Sequence, residues 1–245
     1  NPNQLTVGQK LVIPVVTPRA PGPGFKIIPD SELVLSPHTV GFSVQKAIAK
    51  FNGYLTRYEE KVDDRMTSGA AVLERISREY SVNPRLLLAV LDYQSGWVTQ
   101  SNSPDSRKDY PMGHINSARK GLYRQLAWAA NQLNQGYYLW RVNGLSSYKL
   151  SDGSVVPASN ALNAGTVGVQ NLMSELYDRA GWERAISEKG VFAVYSRLFG
   201  YPFDYAFEPV LPVKLTQPKL RLPIEDGTVW SFTGAPHGGW GDGSA

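Results

Sequence analysis

The feature that most constrains this chain is the stretch NPRLLLAVLDYQSGWV, residues 83–98. In it, six apolar residues in a row (Leu86–Leu91) run almost directly into Gln94, Ser95, Gly96 and Trp97. An apolar run of this density has to be buried, because each large side chain left in water forgoes about 1.5–3 kcal/mol. It is far shorter than the roughly 18 consecutive apolar residues of a membrane-spanning helix, so a helix inside a protein core is the expectation. Asn83 suits the N-cap and Pro84 the first helical position. Two readings stay open. Either the helix ends at Gly96 because the core ends there, or it ends there to present Gln94 to a cleft.

The neighbouring sequence divides by pattern into a mainly α chain, a helical domain flanked by short β segments. Residues 1–14 carry a short strand candidate, Lys10–Ile13, closed by Pro14. Residues 15–39 are dense in proline and glycine, which hold neither a helix nor a central strand, and read as an extended linker. Residues 40–200 are helical by spacing. Ser43 is an N-cap ahead of Val44, Ala47, Ile48 and Phe51; Val72, Leu73, Ile76 and Tyr80 form a second stripe. Leu122, Leu126, Ala129, Ala130 and Leu133 line a long helix, and two more helices follow up to Gly200. The acidic run Tyr58–Arg65 reads as a solvated helix end or loop. Residues 201–245, with short alternating runs among prolines, glycines and aromatics, read as β structure.

Composition narrows the function classes. The net charge of +4 is small and scattered, with no Lys/Arg run dense enough for a nucleic-acid footprint. There is no cysteine, which removes disulfides, thiolate zinc sites and cysteine nucleophiles together. The opening Asn1-Pro2-Asn3 has neither an initiator methionine nor a signal-peptide pattern, so a processed protein or an excerpt of a longer one is expected. His38 and His114 have no partner at metal-ligand spacing.

Three stretches resemble known families. Leu5, Val7, Gly8, Gln9, Leu11, Ile13 and Pro14 are similar to the last strand of a LysM module, a glycan-binding unit of which residues 1–14 would be the C-terminal fragment. Tyr80, Val82, Asn83, Pro84, Leu87, Leu88, Ala89, Val90, Ser95, Gly96 and Trp97 resemble the catalytic helix of the lysozyme-like lytic transglycosylases. The segment ALNAGTVGV, Ala161–Val169, resembles the segment that lines the saccharide groove in that family, with Leu162 and Thr166 in place of its tyrosine and proline. Finally, the segment GTVWSFTGAPHGGWGDGSA, residues 227–245, looks like the start of a LytM-like, lysostaphin-type zinc metallopeptidase.

These resemblances imply a secreted or cell-envelope bacterial protein that works on peptidoglycan. The groove they imply would be lined by Gln94, Ser95, Trp97, Asn163 and Gly165. Its general acid is missing: the family's Glu is Gln94 here, and a carboxamide keeps the shape of a carboxyl without a proton to deliver. Asp92 lies about 200° around the helix and faces elsewhere. The helical domain is therefore expected as a glycan-binding or scaffolding pseudo-muramidase, and whether this chain is an enzyme is left open. The alternative is a structural or accessory subunit of an envelope assembly, with other envelope proteins as partners. No cofactor is expected in this chain. In a longer parent, His237 matches the first zinc ligand of the peptidase motif, its remaining ligands lying beyond residue 245.

Overall fold

The structure, a computed structural model, describes residues 22–39 and 41–210, with positions 216, 219 and 227–229 further on. The chain divides into two units, residues 1–210 and 211–245. All the elements that follow belong to the first, a mainly helical body with two small hairpins.

Helix α1 spans Val44–Ala49, and Ser43 caps it by accepting from the Lys46 N–H. A hairpin follows, β1 (Glu59–Val62) with β2 (Arg65–Ser68), paired antiparallel so that Val62 faces Arg65. Its two turn residues, Asp63 and Asp64, both have positive φ, 47° and 63°, as the tight turn of a two-residue hairpin requires. The acidic run read as a solvated helix end or loop is thus strand β1, the turn and the first residue of β2. Charges obscured the short alternation.

Helix α2 (Gly69–Tyr80) is capped by Ser68 and turns into α3 (Pro84–Ser95). The side chain of Asn83 accepts from the Arg85 N–H, Pro84 opens the helix, and Gly96 closes it in the left-handed conformation at φ 68°. That cap geometry favours glycine because a Cβ is disfavoured there. Leu86 to Leu91 are all fully buried; α3 is the central helix, in contact with α2 and α8.

After the short α4 (Asp105–Lys108) comes the longest helix, α5 (Leu122–Arg141). Its N-terminus lacks a side-chain cap of its own and borrows one. The Glu60 carboxylate accepts from the Tyr123 N–H at 2.6 Å and from the Tyr58 hydroxyl at 3.3 Å, and the Tyr58 oxygen accepts from the Leu122 N–H at 3.5 Å. A second hairpin pairs β3 (Ser147–Lys149) with β4 (Val155–Pro157), burying Tyr148 and Val156. Helices α6 (Ala164–Ser174), α7 (Arg179–Ala185) and α8 (Val191–Phe199) complete the body. Helices α5 and α6 cross at Gly136 and Gly168. A Cβ on Gly136 would lie 2.6 Å from the Asn171 Cβ and 2.9 Å from the Gly168 Cα.

Several expectations need correction. The two final helices are three, since the segment from Gly181 onward breaks between α7 and α8. The stretch expected as a linker is not extended over its second half: Ile27, Ile28 and Leu33 are fully buried, and Asp30–Glu32 form a 3-10 turn. The proline and glycine content excludes regular structure but not burial, and the apolar residues between them fill the core. Within the zone expected to be β-rich, Pro202–Tyr205 is a 3-10 turn. The LysM-like residues 1–14 and the peptidase-like motif with His237 lie outside the described residues, apart from positions 227–229.

Candidate functional site

The end of α3 brings Gln94, Ser95 and Trp97 into one neighbourhood, and each side chain there is already engaged. Gln94 is buried, and its Oε1 accepts from the Tyr177 hydroxyl at 2.8 Å. Its Nε2 points at the Met173 sulfur, 3.6 Å away, a weak acceptor. Burial raises the pKa of the Tyr177 hydroxyl, so it stays the donor to Gln94. The Ser95 hydroxyl donates to the Leu91 carbonyl one turn back. Trp97 is fully buried, packs against Tyr54 and Tyr58 with ring centroids 4.8 Å from each, and donates its indole N–H to Ser103. This tryptophan is a core residue with no ring face available to a sugar.

Asp92 does point away from Gln94, as the helical rotation requires. Its carboxylate accepts from the Val98 and Thr99 N–H groups and from Arg197 of α8 at 2.7 Å. It fixes the turn after α3 and ties that turn to α8.

Asn163 and Gly165 lie at the opposite end of α6 from Met173, about 15 Å along the helix axis. Here the N-terminal segment is stitched onto the helix start. The Asn163 amide donates to the Ile28 carbonyl at 2.7 Å and to the Asp30 carboxylate at 2.8 Å. The same Asp30 oxygen accepts from the Gly165 N–H at 2.7 Å, an anion at the positive end of a helix. Thr166 receives the Ile27 N–H. A Cβ on Gly165 would meet the Pro29 carbonyl oxygen at 2.6 Å. The five groove residues therefore fall into two groups at two ends of α6, with Asn163 and Gly165 covered by residues 27–30.

The polar centre that sequence reasoning did not find is Glu32. It is fully buried, and Arg85 from the first turn of α3 donates to both its oxygens, at 3.0 and 2.6 Å. The Tyr195 hydroxyl of α8 donates to it as well. The Arg85 guanidinium lies over the rings of Tyr205 and Phe42, 4.4 and 5.6 Å from their centroids. One signal was present: an arginine adjoining a run that must be buried needs a partner. The partner, 53 residues away, carries no local mark. Gln125 of α5 was also missed. Fully buried, it holds the loop before α5 by accepting from the Met112 N–H and donating to the carbonyls of His114 and Arg119.

His114 stacks on Trp128, ring centroids 4.1 Å apart, and burial followed by the Arg119 charge lowers its pKa. His38 lies in the 3-10 turn Pro37–Thr39. Among the described residues no three His, Cys, Asp or Glu side chains gather as metal ligands, so these residues do not fit a zinc centre. No described helix is long and apolar enough to cross a membrane.

Fold and site together define a mainly helical domain whose polar interior is organised around internal hydrogen bonds and the buried Glu32–Arg85 ion pair. Comparison places it further. Residues 26–212 match the family described as LasA, N-terminal domain, and the chain belongs to that family. Two relatives, each named Protease LasA, come from Pseudomonas aeruginosa strains UCBPP-PA14 and PAO1. They are 30% and 29% identical over 185 residues, 70% of this chain and 42% of the relative in both cases. The chain thus spans less than half the length of the curated relatives it matches. No solved structure matches it.

Proposed function

We propose that this chain is a non-hydrolytic accessory domain of a longer, secreted bacterial peptidase that acts on peptidoglycan. The observation that carries this reading is the state of Gln94. The position that corresponds to the general acid in the resemblance to lytic transglycosylases holds a carboxamide, buried and hydrogen-bonded to Tyr177, where a glycosidase needs a carboxyl able to release a proton. The tethering of Asn163 to Ile28 and Asp30 points the same way, favouring a scaffold over a carbohydrate-cleaving site. Membership in a family named for the N-terminal domain of a protease supports placing the chemistry further along the parent chain. There His237, with ligands beyond residue 245, would contribute to binding zinc. Exposed Tyr138 and Leu139 in the last turn of α5, with exposed Val142 just after it, favour a protein neighbour for this domain.

The test separates products. Purified peptidoglycan is incubated with this chain, with its Gln94→Glu variant, and with the longer parent. Neither form of this chain should cleave the glycan strand, releasing neither the reducing ends of hydrolysis nor the 1,6-anhydro ends of transglycosylation. The parent should release free amino groups, sensitive to a zinc chelator. Glycan-strand cleavage by the wild-type chain would overturn the non-hydrolytic reading, and its appearance only on Gln94→Glu would replace the scaffold with a cleft that keeps its geometry and lacks its acid.

A further inference from the structure

Away from the end of α3, a cleft of about 490 Å³ opens between the end of α5, the turn that follows it and the chain entering α6. That volume is in the range of small-ligand sites, about 300–1,000 Å³. Its polar lining is Trp140, Asn143, Ser146 and Asn160, with Leu145 and Leu162 among its apolar residues. Both leucines are buried, Trp140 is half-buried, and Asn143, Ser146 and Asn160 are exposed.

Two properties set this cleft apart. No charged residue lines it among the described residues. The Trp140 indole N–H and the side chains of Asn143, Ser146 and Asn160 have no hydrogen-bond partner among the described residues, in contrast to Gln94, Asn163 and Gln125. An aromatic ring joined to uncommitted amides and a hydroxyl over an apolar base matches one class of ligand. A pyranose offers a C–H face to an indole and hydroxyls that both donate and accept, as amides do. An acetamido group adds a methyl for the leucines and an amide for the asparagines. Anionic ligands would need cations that this lining lacks.

We propose that the cleft beside Trp140 binds an uncharged N-acetylated oligosaccharide, with Trp140 as the stacking platform and Asn143, Ser146 and Asn160 as its hydrogen-bonding partners. The site extends the accessory-domain reading by naming a ligand class. It rests on that reading only for the polymer on which such a sugar would be met. It also separates glycan recognition from the end of α3.

The experiment titrates the 245-residue chain with the tetramer of N-acetylglucosamine, followed by tryptophan fluorescence and calorimetry. Parallel titrations use Trp140→Ala, the exposed pair Asn143→Gly/Asn160→Ala (glycine because Asn143 has a φ of 56°, which alanine would strain), and Gln94→Ala, with circular dichroism as the check on folding. The wild type should bind, Trp140→Ala and the double variant should each lose at least about tenfold in affinity (about 1.4 kcal/mol), and Gln94→Ala should bind like the wild type. A deacetylated tetramer should bind more weakly. The double variant, altered only at exposed positions, keeps the test valid if Trp140→Ala does not fold. Absence of wild-type binding at about 10 mM sugar, roughly 2.7 kcal/mol of binding free energy, would overturn the proposal. So would unchanged affinity in the folded variants, or a loss confined to Gln94→Ala. The accessory-domain reading is judged on hydrolysis products, so either can fail while the other stands.

Discussion

Glu32 is the residue on which the interior turns. Both its oxygens are occupied by Arg85, and Tyr195 adds a third donor. A buried ion pair of this kind returns little net stability, yet breaking it from one side is costly because a charge is left without a partner. Arg85→Met is therefore expected to lower the free energy of unfolding by about 3–5 kcal/mol, measured by urea denaturation. The triple change Glu32→Leu/Arg85→Met/Tyr195→Phe should recover most of that loss, because no polar group of the network is then left unpaired. Glu60 makes a second prediction at this scale. Burial raises its pKa, against the hydrogen bonds from Tyr123 and Tyr58 that lower it. A carboxyl raised in the folded state contributes stability that is present below its ordinary value of about 4.3 and is lost as pH rises through the folded value. Glu60→Gln keeps the acceptor for the Tyr123 N–H and does not titrate. The stability of the wild type relative to Glu60→Gln should accordingly fall as pH is raised from 4 to 7; a constant difference would show that Glu60 is not desolvated.

Among the helices, local signals and packing agree at some places and compete at others. The start and stop of α3 were legible because they are written in adjacent residues: Asn83 and Pro84 at one end, Gly96 at the other. The crossing of α5 and α6 is the opposite case. By helix propensity, Gly136→Ala should stabilise α5 by about 1 kcal/mol. The new Cβ would instead meet Asn171 and the backbone of Gly168 at less than 3 Å. Overpacking costs about 1–3 kcal/mol and should win, so a lowered melting temperature is expected. A raised one would mean that the two helices can separate without cost. The β3–β4 hairpin was illegible for a related reason. Strands of three residues have too little alternation to register, and they persist because Tyr148 and Val156 reach the core.

For the molecule as a whole, the decisive segment is residues 26–33. Ile27, Ile28 and Leu33 are fully buried, about 5–9 kcal/mol of apolar burial together, and Asp30 and Glu32 add the α6 cap and the ion pair. Domains of this kind are stable by about 5–15 kcal/mol in total. A chain beginning at residue 34 should lose its cooperative urea transition, followed by circular dichroism. An unchanged transition would show that the segment only decorates a body stable without it. The family match begins at residue 26, one residue before the buried Ile27.

From neighbouring residues alone one could read that α3 is helical, buried and bounded, that the body is mainly α, and that position 94 lacks an acidic proton. Caps and apolar spacing act within a few residues, so the sequence displays them directly. What Gln94 touches, what covers Asn163, and which carboxylate answers Arg85 were settled by contacts across 83, 135 and 53 residues. Such contacts leave no periodic trace, because either partner alone is an ordinary polar residue. They acquire meaning only when the fold removes both from water.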